Sequence, residues 1–321
     1  MGGNTAMAEI LFIKTSSLGD VIHHMPAMTE ARAALPGARF TWLVEEAFAP
    51  LVRLHPAVDA VLPVAWRRWR RSLYLPQTLA EIGRSLRAMR AQCYDEIVDS
   101  QGLLRTAVIT RLARGRRHGY DRSSIREPLA SLFYDRRYTV SRALHAVERN
   151  RRLCGLALGY APHGAPDFGL DRARFERPGG RYAVLLHATA EPRKLWAEPN
   201  WIALGQVLAQ GGLELVLPWG TEAERARSER LAGALPRARV PERAPLDRVA
   251  ALIAGAALVV GVDTGLLHLA AALGVPLVAI FAGSEPGLTA PVGAGPITVL
   301  GARGAPPGVE EVVVAAEEFA R

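Results

Sequence analysis

The chain has 321 residues, half of them hydrophobic, which is too long for one ordinary domain, fits two of roughly 150 residues, and excludes a disordered chain. Thirty-nine basic residues against 31 acidic ones give a formal net charge of +8 and point to anionic partners: phosphates, nucleic acid or an acidic membrane face. No apolar stretch approaches the roughly 18 residues needed to cross a bilayer, and "MGGNTAMAEI" lacks the basic start and apolar core of a signal peptide, so a cytoplasmic protein is expected.

In chain order, "ILFIK" (10–14) reads as a buried strand, and "DVIHHMPAMTEARAAL" (20–35) has helical spacing that stops before Pro36 and Gly37. "RFTWLVEE" (39–46), "AVDAVLPV" (57–64) and "YDEIVDSQG" (94–102) read as further strands, with the amphipathic helix "LPQTLAEIGRSLRAMRAQ" (75–92) before the last. The Gly- and Pro-rich segment 159–180 reads as a linker. Beyond it the same grammar returns. The strands are "RYAVLLHA" (181–188), "LELVLPW" (213–219), "LVVGVD" (258–263) and "PLVAIFAG" (276–283), and helical stretches start near 200, 222, 246 and 265. Repeated βαβ units predict an α/β fold of two Rossmann-like domains facing a cleft, residues 1–165 and 166–321, with the last helix a candidate to pack back on the N-terminal domain. Ligands in such sheets bind at the carboxyl ends of the strands.

Several loops fall at those ends. "TSSLGD" (15–20) has one glycine, so it is neither a dinucleotide loop nor a Walker loop. Asp20 reads either as a helix N-terminal cap or as a base acting on a neutral hydroxyl, because a carboxylate there would repel phosphate. His23 and His24 follow one turn later, without a second cluster to complete a metal site. In "VVGVDTGLLHLAAALGVP" (259–276), Asp263, Thr264 and Gly265 open a helix carrying His268, which is either an ordinary capped turn or an anion site made of free N–H groups. "LLHATAEPRKLWAEPNW" (185–201) offers Thr189 and Lys194 to a diphosphate, or is a solvated basic loop. Glu222 and Glu224 in "LPWGTEAE" (217–224) either bond ribose hydroxyls or serve as helix N-terminal acids. Lys14 and Lys194 are the only lysines among the basic residues, and each sits beside one of these loops, where a compact charge suits a ligand phosphate. Cys93 and Cys154 lack metal spacing and read as buried thiols in a reducing compartment. A nucleotide diphosphate in the C-terminal half and a carboxylate in the N-terminal half suit sugar transfer from a nucleotide sugar.

Taken together, "KTSSLGDVIHHMPA" (14–27), "REPLASLFY" (126–134), "HAVERNRRL" (145–153) and the three C-terminal motifs make the chain resemble the heptosyltransferases of glycosyltransferase family nine, from about residue 8 to the end. The form of "TSSLGDVIH" and "REPLASLFY" favours type I over type II. The resemblance implies GT-B architecture and inverting, metal-independent transfer of L-glycero-D-manno-heptose from ADP-heptose to the first Kdo of Kdo2-lipid A, with no cofactor. It implies Asp20 as the general base, and Lys194, Thr189, Glu224 and the Asp263-Thr264-Gly265 turn as donor contacts, with Glu222 and His268 beside them. Ser17 and Gly19 would face the acceptor. Two departures stand out: Ala190 occupies a position where the family often has a second hydroxyl, and "MGGNTAM" is extra, with Met7 aligning with the usual start.

"WRRWRRSLY" (66–74) interleaves arginine with tryptophan, a pattern that also suits nucleic acid or a solvated loop. No nucleic-acid-binding fold accompanies it. The expectation is that Arg67, Arg68, Arg70 and Arg71, with Arg126 and Arg149, grip the acids of the lipid acceptor, that the aromatics rest at the inner leaflet, and that the protein is peripheral on the inner face of the inner membrane. A nucleotide-sugar epimerase on the same fold and a basic nucleic-acid binder are the competing readings. The first would need no large anionic acceptor groove, and the second would ignore ADP-sugars and bind polynucleotide with a steep salt dependence.

Overall fold

The computed structural model describes residues 7–176 and 179–320, so the first six residues of the extra opening lie outside it. The chain divides into two compact units, residues 1–169 and 170–321, and the division falls within the Gly- and Pro-rich segment.

The N-terminal unit runs β1 (Glu9–Ile13), α1 (Leu18–Ala34), β2 (Arg39–Glu45), α2 (Ala49–Val52), β3 (Ala60–Val64), α3 (Trp66–Trp69), α4 (Pro76–Ala91), β4 (Glu96–Asp99), α5 (Leu104–Leu112), β5 (Arg116–Tyr120), β6 (Arg136–Tyr138) and α6 (Ala146–Leu158). The C-terminal unit runs β7 (Tyr182–Leu186), α7 (Glu198–Gln210), β8 (Glu214–Val216), α8 (Glu222–Gly233), β9 (Ala238–Arg239), α9 (Leu246–Gly255), β10 (Leu258–Val262), α10 (Gly265–Ala272), β11 (Leu277–Ile280), β12 (Ile297–Leu300) and α11 (Val309–Ala320).

Each unit holds one parallel six-stranded sheet, and the two have the same order: β3-β2-β1-β4-β5-β6 and β9-β8-β7-β10-β11-β12. Central strands of a parallel sheet are covered on both faces, so they read as unbroken apolar runs. In β1, Leu11 and Ile13 pack with Met89 of α4 and Ile109 of α5, while the Phe12 ring lies 5.7 Å from that of His24 on α1. The C-terminal core closes around Trp196 and Trp201, whose rings meet edge to face at 5.3 Å. The last helix, α11, packs on α7 and on β10, β11 and β12 of its own unit.

Four strands depart from the buried apolar run. β5 begins with Arg116 and Arg117, which pair with Glu96 at 3.4 Å and Asp135 at 2.6 Å, so a charged ladder replaces the hydrophobic run. β6 and β9 have three and two residues, and β12 is a partly exposed edge. Cys93 corrects the expectation of two buried thiols: it is exposed just past the end of α4, whereas Cys154 is buried and its pKa is pushed up by that burial.

Arg151 on α6 ties the N-terminal unit together. It is 6% exposed. Its guanidinium meets Glu30 of α1 at 2.5 Å and Glu148 at 3.2 Å, and it donates to the carbonyls of His163 and Gly164 at 2.8 and 3.1 Å. Removing one partner of such a buried pair leaves the other charge uncompensated. Arg151→Ala is expected to cost the N-terminal unit about 3 kcal/mol in urea unfolding, and Arg151→Lys to recover only part of that, because one ammonium cannot reach all four acceptors. An unchanged midpoint would show that the cluster contributes nothing net.

Candidate active site

In both sheets the strand order reverses between the first and fourth strands of the unit, and there the connections leave on opposite faces and open a crevice at the strands' carboxyl ends. In the N-terminal unit that crevice lies between the loops after β1 and β4. Buried Asp99 shapes the second loop: its carboxylate accepts from the N–H groups of Gln101 and Gly102 at 2.9 and 3.2 Å and from the Tyr134 hydroxyl at 2.8 Å. Gln101 then reaches across, and its Oε1 accepts from both Thr15 N and Ser16 N at 3.0 Å. Lys14 does the converse. It is buried, and its Nζ donates to the Ser100 carbonyl at 2.9 Å and to Asn150 Oδ1 at 3.3 Å. Burial pulls the Lys14 pKa down, opposed by the charges of Asp20 and Asp99. Lys14 is thus a strut between the two loops that places its ammonium behind the Asp20 loop.

Asp20 is the third residue of α1. Its Oδ2 accepts from Ser17 N at 2.6 Å and from Ser17 Oγ at 3.1 Å, closing a capping box. The two readings of Asp20 are therefore compatible. The cap fixes one carboxylate oxygen, and Oδ1 has no hydrogen-bond partner among the described residues. Ser17 is the helix cap and Gly19 is buried in the first turn. His24 is buried with Nδ1 3.2 Å from Ser100 Oγ, and burial pushes its pKa well below the usual value.

The arginines divide into two groups. Arg149 lies 4.8 Å above the Tyr120 ring and donates to the Ser124 carbonyl at 2.6 Å, while its buried Nε has no partner and no carboxylate pairs with it among the described residues. Arg70 and Arg126 are exposed and likewise make no ion pair among the described residues. Arg67 lies over the Phe48 ring at 5.2 Å. Arg68 is half-exposed, and Glu46 at 3.2 Å and Glu81 at 2.8 Å hold its guanidinium. Among the aromatics of this stretch, Trp69 is buried and donates its indole N–H to Glu81 at 2.9 Å, whereas Tyr74 is exposed.

In the C-terminal unit the crevice lies between the loops after β7 and β10. Asp263 follows β10, and its Oδ2 meets Lys194 Nζ at 3.0 Å and accepts from Ser284 Oγ at 2.5 Å. Lys194 also meets Glu191 at 3.0 Å. Burial works against its charge, but Asp263 and Glu191 outweigh that and raise its pKa. Asp263 thus orients the ammonium and is not itself suited to touch phosphate. Thr189 Oγ1 donates to the Asp263 carbonyl at 3.1 Å, so its proton must swing away before it can serve a ligand. Thr264 caps α10, whose first N–H groups start at Gly265, and His268 is buried one turn in. Glu224 closes a second capping box, its Oε2 accepting from Gly220 N at 2.8 Å and Thr221 N at 3.0 Å, while Glu222 is exposed with Arg225 at 3.7 Å.

The sequence reading missed Gln101, Asn150, Arg105 and Ser284. Arg105 Nη2 donates to Ser16 Oγ at 2.7 Å. Ser284 follows a strand's carboxyl end, a signal that was available. Its loop lies so close to the Lys194 turn that a Cβ on Gly283 would sit 2.5 Å from the Arg193 carbonyl oxygen, so only glycine fits.

The model for glycosyltransferase family 9 (heptosyltransferase) matches residues 82–315. Lipopolysaccharide heptosyltransferase 1 of Escherichia coli K12 is 43% identical over 285 residues, covering 87% of this chain and 89% of that protein. The protein of the same name from Pseudomonas aeruginosa PAO1 is 46% identical over 289 residues, covering 89% and 81%. Among solved structures, E. coli heptosyltransferase WaaC with ADP superposes with a TM-score of 0.91 at 40% identity, over 97% of this chain and 99% of that one. By sequence and by fold, the chain belongs to glycosyltransferase family 9, the heptosyltransferases.

Proposed function

We propose that this heptosyltransferase moves L-glycero-D-manno-heptose from ADP-heptose to the first Kdo of Kdo2-lipid A. The observation that carries the donor side is the Lys194 ammonium, held at 3.0 Å by Asp263 beside the N-terminus of α10. A nucleotide diphosphate suits a fixed point charge next to free helix N–H groups. An E. coli WaaC structure with ADP-2-deoxy-2-fluoro heptose, at a TM-score of 0.85 and 41% identity, supports the sugar assignment.

The chemistry follows from the two crevices. Asp20 Oδ1 takes the proton of a Kdo hydroxyl as that oxygen bonds to C1 of the heptose. The C1–oxygen bond to the β-phosphate breaks on the opposite face, so the anomeric centre inverts. The leaving ADP gains negative charge, which Lys194, the α10 amides and a reoriented Thr189 hydroxyl stabilise. Arg149, with its buried Nε unpartnered among the described residues, and Arg70 and Arg126, which make no ion pair among them, are suited to the carboxylates and phosphates of the acceptor. Leu129 and Leu132 are 63% and 67% exposed in the turn just after Arg126, and such an apolar and basic surface supports contact with an anionic leaflet. No helix among the described residues is long and apolar enough to cross a membrane.

Turnover of ADP-heptose with Kdo2-lipid A tests the proposal directly. Asp20→Asn should keep ADP affinity and lose at least about 100-fold in kcat; near-normal turnover would remove Asp20 from the role of base. Lys194→Ala should weaken ADP binding in calorimetry, with Lys194→Arg restoring only part, because a planar fork replaces a point charge. Unchanged ADP affinity in the alanine variant would place the diphosphate elsewhere. For the acceptor, Arg149→Ala with Arg126→Ala should raise KM about tenfold and leave ADP affinity alone. Arg68→Ala should instead lower thermal stability without touching acceptor KM, and a raised KM there would restore Arg68 to the acceptor site.

A further inference from the structure

The helices α4 and α5 cover one face of the N-terminal sheet without filling the space between them. That space is a cavity of about 400 Å³, within the ~300–1,000 Å³ typical of small-molecule pockets. Its walls are Ile82 and Leu86 of α4, Val108 and Leu112 of α5, and Trp66, over a floor from β2 and β3. Among the described residues, Ser85 and Arg105 are the only polar side chains lining it, apart from the tryptophan indoles. On α5, Leu104, Val108 and Leu112 recur every fourth residue and stay 40%, 42% and 39% exposed, so an apolar wall stands open to solvent. An exposed apolar trough of this kind marks a binding surface more often than a packing accident.

Arg105 narrows the choice of occupant. It lines the trough, and its guanidinium donates to Ser16 Oγ at 2.7 Å, in the loop that carries Asp20. Arg67 lies nearby, its backbone N–H donating to Glu45 Oε1 at 2.9 Å, and both guanidinium charges act on the Glu45 carboxylate. One end of the trough therefore carries two guanidinium groups against the single Glu45 carboxylate and is continuous with the Asp20 loop, while the rest is hydrocarbon-like. This complements an amphiphile with an anionic sugar-phosphate head and an alkyl chain.

We infer that the trough between α4 and α5 holds an acyl chain of the lipid-linked acceptor while its sugar end reaches the Asp20 loop. The inference rests on the acceptor assignment proposed above. Burial of hydrocarbon drives it, at about fourfold in affinity per methylene. The trough thus separates acylated from deacylated acceptors, which the Asp20 loop alone cannot do.

The test is kcat/KM on acylated and deacylated Kdo2-lipid A, for the unmodified protein and for Val108→Gln/Leu112→Gln. Both positions are partly exposed, so the polar side chains need not unfold the unit. Val108→Phe, which blocks the trough without adding a polar group, is the second variant. Turnover of either acceptor by the unmodified protein tests the acceptor assignment by itself, and its absence on both overturns both readings. Given that turnover, each variant should lose about tenfold in kcat/KM on the acylated acceptor. It should keep its rate on the deacylated one and lose binding of dodecyl phosphate. Equal losses on both acceptors, or no loss on either, would overturn the acyl-chain site and leave the acceptor assignment standing. Retained dodecyl phosphate binding in both variants would also overturn it.

Discussion

A parallel sheet whose strand order reverses leaves two neighbouring loops diverging to opposite faces, and the backbone groups of those loops have no ladder to join. They must find partners or face water. In the N-terminal unit the partners are side chains of the loops themselves: Gln101 takes the N–H groups of Thr15 and Ser16, and Lys14 takes the carbonyl of Ser100. Trp42 closes the same knot by donating its indole N–H to the Lys14 carbonyl at 3.1 Å. The C-terminal unit meets the same constraint more simply, with Thr189 bonded to the Asp263 carbonyl. Everything that positions Asp20 and Lys194 depends on these bonds, because each residue stands one short step from a loop the bonds immobilise.

The same accounting separates, in a chain with so many arginines, those already committed to carboxylates from those left available. A guanidinium already held by two carboxylates, as in Arg68 with Glu46 and Glu81, has little field left for a third anion. Arg151 is committed in the same way to Glu30, Glu148 and two carbonyls. Arg149 differs: its neighbours are a ring face and one carbonyl, and its Nε is buried without a partner. Local pairing, more than net charge, therefore separates structural arginines from available ones.

That separation also marks what was legible in the sequence. The central strands were readable because burial on both faces leaves an unbroken apolar run, as in "ILFIK" and "LVVGVD". Strand β5 was not, because Arg116 and Arg117 are compensated by Glu96 and Asp135 on neighbouring segments, which spacing along one strand cannot reveal. Helix α5 was hidden by its run of β-branched residues, Thr106, Val108, Ile109 and Thr110, which weakens a helical signal that tertiary packing then overrides. Candidate site residues near strand ends, Asp20, Thr189 and Asp263, could be picked out by position. Their supports could not: Gln101 lies 86 residues from Thr15, Asn150 lies 136 from Lys14 and Ser284 lies 21 from Asp263, and only the fold brings them together.

The two lysines show the limit of reading chemistry from residue type. Both sit beside strand-end loops, and in both places an ammonium serves better than a guanidinium, but for different reasons. Buried Lys14 has two acceptors, Ser100 O and Asn150 Oδ1, and a guanidinium would bring five donors into a space that satisfies two. Lys194 also has two partners, Asp263 and Glu191, but it is only partly buried, at 17% side-chain exposure. Its third N–H is free to point at a ligand, and a diphosphate arriving there meets a charge already oriented and only partly neutralised. One substitution rule, lysine retained where arginine is the habit of the chain, thus marks a strut in one unit and a candidate ligand contact in the other. The difference between them is burial, and burial is a property of the fold.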